Sequence, residues 1–465
     1  MALANSPAVS GVPSAADAAT TVDDKTLRSV ILAASLGTLF EWYDFYLYGS
    51  LAVFFGGLFF PSGNETAQLL ASLATFGAGF GVRPLGALVF GHLGDLVGRK
   101  YTFLITMAAM GLSTAFIGFL PTYENLGLIA TALLVGLRLL QGLALGGEYG
   151  GAATYVAEHV PDNKRGFYTS FIQTTATLGF FLSMGVIGTT RTWLGEDTFK
   201  AWGWRLPFLM SFILLGISLY IRLRMAESPL FAKLKSTGKR AANPLKESFT
   251  NPVNLRYVLI ALFGAAAGQG VVWYTGQFYA LTFMQATLKI EWKTAYLLMS
   301  GALLLTTPLF VFFGALSDRV GRKPIMLGGC VLAALTYVPI YMGMKHFATG
   351  EVSYLALLLL LVLQMVYVTM VYGPIAAFLV ELFPTRIRYT SMSLPYHLGN
   401  GWFGGFLPLI ATAVTASDWA KTQFGAGAIF TGLMYPIGIC ILTVLVGSIF
   451  IRETRDHKID ADSHR

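Results

Sequence analysis

Mostly apolar stretches about twenty residues long, such as Ile429–Phe450, recur along this chain. A bilayer core about 30 Å thick is crossed by a helix of roughly 20 apolar residues. Charged residues make up only 12% of the 465-residue chain, against roughly 25% in a soluble domain. So little polar surface cannot cover a water-facing globule, and lipid is the solvent that fits. Cutting the apolar runs at Gly, Pro and charge predicts an all-α membrane protein of twelve transmembrane helices. They are placed at 29–58, 68–92, 101–121, 126–157, 166–190, 203–224, 254–284, 294–317, 324–344, 353–381, 389–416 and 426–451.

Basic residues set the expected orientation. Lys25, Arg28, Arg99, Lys100, Lys164 and Arg165 fall on one side, as do Arg319, Arg322, Lys323, Arg386 and Arg388 and the basic middle loop. The other side holds few, among them Arg191, Lys200 and Arg205. By the positive-inside rule the rich side is cytoplasmic, which places both termini inside. This asymmetry accounts for the net charge of +8 with no nucleic-acid partner. The predicted organisation is a disordered cytoplasmic tail (1–28), a six-helix half (29–224), a cytoplasmic middle loop (225–253), a second six-helix half (254–451) and a cytoplasmic tail (452–465). The first residues lack the basic start and short apolar core of a signal peptide. Cys330 and Cys440 lie in apolar runs without disulfide or metal-ligand spacing, and read as buried small hydrophobes.

The two halves repeat each other in a constant register. The segment from Gly91 to Lys100, with Asp95, Gly98 and Arg99, recurs from Gly314 to Lys323, with Asp318, Gly321 and Arg322. Glu158, Pro161 and Arg165 recur as Glu381, Pro384 and Arg388, Gln141 as Gln364, and Tyr149-Gly150 as Tyr372-Gly373, always at an offset of 223. A duplicated six-span unit is a carrier architecture, with the substrate held between the halves near the membrane midplane.

The repeated G-x-x-x-D-x-x-G-R-K segments resemble the signature of the major facilitator superfamily, over residues 29 to 455. Glu41-Trp42-Tyr43-Asp44-Phe45-Tyr46-Leu47-Tyr48-Gly49, Arg83-Pro84-Leu85-Gly86 and Gly146-Gly147-Glu148-Tyr149-Gly150 are similar to the metabolite:proton symporter family. That family includes permeases for 2-oxoglutarate, citrate, shikimate and proline/betaine. The resemblance implies two pseudo-symmetric six-helix halves and transport by alternating access. It also places an arginine with a proton or substrate role at Arg138. Sugar porters are resembled at Tyr155-x-x-Glu158-x-x-Pro161, Glu227-Ser228-Pro229 and Arg452-Glu453-Thr454. Where sugars are held the chain departs from them: their paired Gln is Gln269 followed by Gly270, and their Trp after Gly373-Pro374 is Ala377. The glycine-rich span-five pattern of superfamily antiporters is not evident around Gly179, Gly185 and Gly188, which favours symport.

Ionisable residues at membrane depth cost about 2.5–3.5 kcal/mol each at a helix centre, so each should face a partner or a wet path. Glu41, Asp44 and Glu148 are the candidates for proton coupling. Glu41 and Asp44 share a helix face, with Tyr48 four residues beyond Asp44. Arg83 and Arg138 are candidates for holding an organic anion, because guanidinium grips carboxylate bidentately and keeps its proton. Tyr43, Tyr48, Gln141, Gln269, Trp273, Tyr274, Gln277, Tyr372, His397 and Asn400 complete the expected substrate site. Asp95, Arg99, Glu158 and Arg165, with Asp318, Arg322, Glu381 and Arg388, are the expected cytoplasmic gate. Glycines spaced by four, Gly142, Gly146 and Gly150 in span 4 and Gly77 and Gly81 in span 2, read as helix-packing positions.

The chain therefore reads as a monomeric, multi-pass carrier of a bacterial inner (plasma) membrane, with the lipid bilayer and protons as partners. The expected activity is proton-coupled symport of a mono-, di- or tricarboxylate, with a proline- or betaine-like zwitterion as the alternative. An organic-anion exchanger, a sugar porter or a carrier-like receptor fits less well. No nucleophile–base pair, metal cluster or nucleotide loop suggests an enzyme or a cofactor.

Overall fold

The computed structural model describes residues 24–457 except 62, 97–98, 148, 159, 224–243 and 385–386; the side chains of 24–34, 94–96, 99–100, 103, 155, 222 and 244 also fall outside the described set. The predicted tail 1–28 and middle loop 225–253 therefore lie largely outside it, as do residues 458–465. Among the described residues every regular element is helical.

The helices group into twelve spans in the predicted order. Eight are long and apolar enough to cross a bilayer unaided. Spans 2, 4, 5 and 7 are Glu65–Leu93, Leu128–Thr154, Asp162–Leu194 and Pro252–Thr287; spans 8, 9, 10 and 12 are Trp292–Val320, Arg322–Ala348, Tyr354–Leu382 and Asp418–Phe450. The other four are broken, short or polar. Span 1 divides into Asp24–Ser50 and Ala52–Phe59, and span 3 is Arg99–Ile117. Span 6 bends by 48° between Glu196–Gly203 and Arg205–Ile221. Span 11 comprises Arg388–Leu398, Gly399–Gly405 and Leu407–Ala416. Its Thr390, Ser391, Ser393, His397 and Asn400 are all buried, so its polarity faces protein. On span 8, by contrast, Leu297, Leu304, Leu305 and Phe312 are exposed, as a lipid-facing stripe requires.

Backbone contact sets the spacing of the spans. A Cβ on Gly142 would lie 1.7 Å from the Gly79 carbonyl oxygen, and one on Gly146 would lie 2.2 Å from that of Arg83. Spans 2 and 4 therefore meet without intervening side chains, as small residues permit. Spans 7 and 11 do the same at Gly270 and Gly399. The two halves meet this way where spans 5 and 8 cross: Gly166 and Gly314 face each other, and a Cβ on either would lie 2.4–2.6 Å from the other's carbonyl oxygen.

Two spans of the second half depart from α-helical register. Span 7 contains π-turns at Leu262–Ala266, Thr275–Tyr279 and Phe283–Thr287, and span 11 contains one at Gly399–Gly405. Such turns re-aim side chains and recur at functional sites. Here they flank Gln269, Trp273, Tyr274 and His397 and contain Asn400.

Candidate functional site

Arg83 lies where the halves meet. It opens the second part of span 2, Arg83–Leu96, after a break at Val82. Its side chain is fully buried, with Cζ 5.4 Å from the Trp42 ring centroid and 5.1 Å from that of Phe80. Tyr46, Tyr274, Tyr372, Tyr396 and His397 lie within its electrostatic reach. The Tyr274 hydroxyl lies close by, yet none of the three Arg83 side-chain nitrogens makes a hydrogen bond of good distance and angle. Around it the Tyr46 hydroxyl, the Trp273 indole nitrogen and both His397 ring nitrogens are likewise buried and unpartnered. A group of donors in this state is matched to an acceptor that the protein itself does not supply.

The aromatic framework of the centre is continuous across the halves. Trp42 stacks on Tyr46 at 5.0 Å, Tyr46 approaches Trp273, and Trp273 stacks on Tyr372 at 4.6 Å. The repeat register is preserved here in three dimensions. Gln173 donates to the Tyr149 hydroxyl at 2.7 Å, and the equivalent pair 223 residues on, Tyr372 and Tyr396, shares a hydrogen bond of 2.6 Å. Tyr149 then stacks on Tyr396 with ring centroids 3.5 Å apart, joining one pair to the other.

The remaining candidates of the first half lie inside that half. Arg138 donates to the Gln141 side-chain carbonyl at 2.7 Å and the Phe45 backbone carbonyl at 3.2 Å, and packs over the Phe45 and Tyr48 rings. Gln141 passes the contact to Thr114 at 2.6 Å. The Tyr48 hydroxyl lies 3.1 Å from the Ser72 carbonyl. Tyr43 donates to the Pro207 carbonyl at 2.7 Å, and Asp44 accepts from Ser211 at 2.5 Å, so both tie span 1 to span 6. Glu41 is buried too. Asp44 pairs with neither Arg83 nor Arg138. Glu148 lies outside the described residues.

In the second half, Gln269 and Asn400 exchange hydrogen bonds of 2.8 and 3.2 Å between spans 7 and 11. The side-chain amides of Gln277 and Gln364 are buried without partners. Among the described residues no group of three or more His, Cys, Asp or Glu is placed to hold a metal ion.

A second polar cluster joins the halves on the face where both chain ends emerge. Arg165 of the first half meets Glu381 of the second at 2.9 Å, and Arg388 of the second meets Glu158 of the first at 3.6 Å. These pairs are images of each other under the repeat. Arg322 reaches Glu381 at 2.9 Å and Asp318 at 2.6 Å. Asp318 accepts from the backbone N–H groups of Gly166 and Phe167 at 2.8 Å, capping span 5, where the helix dipole favours an anion. The Asp95 and Arg99 side chains lie outside the described residues. The segment after span 12 joins the cluster: Glu453 caps span 9 through the Arg322 and Lys323 N–H groups, and Thr454 donates to Glu381 at 2.7 Å. The His457 imidazole is held below the usual histidine range, first by burial and then by Arg388 and Arg165, against the opposing pull of Glu381 and Asp162.

The opposite face is closed by softer contacts. Arg191 of span 5 lies 4.2 Å from the Trp292 ring of span 8. Tyr296 donates to the Ser50 carbonyl, and nearer mid-depth the Trp402 indole donates to that of Gly81 at 3.0 Å. With both faces shut, the central side chains are sealed from water.

Sequence reasoning missed Trp42, Tyr46, Tyr149 and Tyr396 as central residues. Spacing held the signal: Trp42 and Tyr46 are four apart, as are Tyr396 and Asn400, so each pair shares a helix face.

Residues 34–396 match the Major Facilitator Superfamily. The chain is 34% identical over 429 residues to the inner membrane metabolite transport protein YhjE of Escherichia coli (strain K12), covering 90% of this chain and 93% of that protein. It is 34% identical to the glycine betaine/proline/ectoine/pipecolic acid transporter OusA of Dickeya dadantii (strain 3937), covering 95% and 86%. It is 32% identical to the alpha-ketoglutarate permease of Escherichia coli (strain K12), covering 90% and 98%. The proton:xylose symporter XylE bound to 6-bromo-6-deoxy-D-glucose superposes with a TM-score of 0.74 at 19% identity, covering 94% of this chain and 98% of that one.

Proposed function

The chain belongs to the major facilitator superfamily, and from that premise we propose that this secondary transporter is a proton-coupled symporter of a small organic acid. The observation that carries the reading is Arg83: a guanidinium buried at the meeting of the halves with no well-formed hydrogen bond and no carboxylate paired to it among the described residues. A buried charge is tolerated when it is paired and hydrogen-bonded, and a substrate carboxylate supplies both. His397 and Trp273 add donors on the far side, so that cargo links one half to the other.

Protons enter through the first half. Asp44 is buried with a serine hydroxyl as its partner and no guanidinium, so a proton is the natural means of neutralising it. Glu41 and Glu148 are the other carriers consistent with the sequence. The face bearing both chain ends is the cytoplasmic one, in a bacterial inner membrane. On that face the Arg165–Glu381 and Arg388–Glu158 pairs, with Asp318 and Arg322, form a latch that opens in each cycle; Asp95 and Arg99 supply its counterpart in the first half.

A zwitterion is the second reading, favoured by the rings of Trp42, Tyr46, Trp273 and Tyr372 beside Arg83, which suit a quaternary ammonium. Both cargoes share the carboxylate. The test is uptake of labelled 2-oxoglutarate and glycine betaine into proteoliposomes under an imposed proton gradient. Saturable uptake of the dicarboxylate that a protonophore abolishes is the expected result. Uptake of betaine alone selects the second reading, and uptake driven only by counter-substrate makes the protein an exchanger.

A further inference from the structure

Spans 7 and 12 part on the termini face and leave a recess that the transport reading does not use. Its outer portion is a groove of about 600 Å³ walled by Leu255, Leu259 and Phe263 of span 7 and Leu442, Val446 and Phe450 of span 12. From Leu442 to Phe450 it follows about 12 Å of helix rise. Its inner portion is a polar hollow of about 420 Å³ that continues past Arg256 to Arg452 and the latch residues Glu381, Glu453 and Thr454. Arg256 borders both portions.

Charge distinguishes this groove from ordinary lipid-facing surface. Arg256 and Arg452 are exposed guanidinium groups, and no acidic residue among the described ones pairs with either. The acids that face them are already engaged: Glu381 by Arg165, Arg322 and Thr454, and Glu453 by four backbone N–H groups. His457 and Tyr257 are the other titratable groups that line the hollow. An apolar groove that continues into a hollow lined by two exposed arginines is complementary to one kind of molecule.

We propose that this recess binds an anionic phospholipid, with its phosphate on Arg256 and Arg452 and one acyl chain along the groove. Arginine takes phosphate bidentately, and basic pockets between spans select anionic headgroups. Because the hollow is walled by Glu381 and Thr454, the bound lipid braces the latch in its closed form. The site is independent of which cargo is carried.

The test uses the purified full chain, delipidated, with phosphatidylglycerol and phosphatidylcholine of matched acyl chains added in turn. The expected result is at least a tenfold tighter apparent affinity for phosphatidylglycerol by thermal shift, abolished in Arg256→Gln/Arg452→Gln. Leu442→Trp, which keeps both arginines and fills the groove, should abolish it as well and covers the case in which the double variant does not fold. A photoreactive phosphatidylglycerol should label the span 7–span 12 groove over the equally lipid-facing Leu305. Equal affinity for the two lipids, or a preference that survives both variants, overturns the proposal. Inorganic phosphate producing the same shift overturns it too, because the hollow is then a free-anion site.

Discussion

At the termini face the two halves carry the same charges; at membrane depth they do not. Asp95, Glu158 and Arg165 have their images 223 residues on in Asp318, Glu381 and Arg388. The positions equivalent to Glu41, Asp44, Arg83, Arg138 and Glu148 hold Gly264, Ala267, Thr306, Leu361 and Val371. The repeat therefore carries the termini-face charges twice and the membrane-depth charges once. A lock joining two moving bodies works best when each contributes a donor and an acceptor, as the paired Arg165–Glu381 and Arg388–Glu158 contacts do. A second set of buried charges would instead add several kcal/mol of desolvation for each ion. Gln141 and Gln364 show the consequence locally. Gln141 is held by Arg138, while Gln364, with Leu361 in place of that arginine, has its amide free.

The contrast breaks most readily at Arg83. Arg83→Gln should weaken carboxylate binding by about 2–5 kcal/mol, roughly 30- to 5000-fold, measured by thermal shift or substrate competition. An unchanged affinity would remove the first half from cargo binding. Asp44→Asn should come next: accumulation against a gradient is lost while counterflow persists. His397→Gln in the second half should raise KM and leave coupling intact, and the opposite pattern would place the proton in the second half.

The lock tests whether charge symmetry is functional. Glu381→Gln strips a buried carboxylate from two arginines, and removing one partner of a buried pair costs about 3–5 kcal/mol. The termini face should open, read as faster labelling of a cysteine placed on span 5 there. Glu158→Gln acts through a longer contact and should open it less; equal effects would make the two pairs interchangeable. The smallest effect is expected for Trp273→Phe, which keeps an aromatic ring but loses the indole N–H and the pyrrole half of the ring system, and should change KM a few-fold with no change in proton coupling.

Much of this architecture was legible in the sequence because lipid imposes strict rules. Apolar runs gave the spans, and the constant offset linked the charged residues that pair across the halves. The centre was harder to read. Arg83 and Arg138 look alike as charges in apolar spans, yet one faces the other half and the other turns Nη1 to Gln141 and the Phe45 carbonyl within its own half, with Nε and Nη2 left without a hydrogen bond. Helical spacing alone does not separate these fates, because π-turns and the breaks at Val82 and Leu51 shift which side chains point inward. Tyr43 and Asp44 likewise sit beside Trp42 in sequence but turn to span 6.

The meeting of Gly166 with Gly314 has a mechanical corollary. At that crossing the two backbones touch directly, and Ser170, Ser317 and the Arg322 guanidinium reach into it. The ionic cluster beside it ties the two backbones' meeting point to paired charges from both halves. A methyl group on either glycine would turn the pivot into a wedge and prop one end of the molecule ajar.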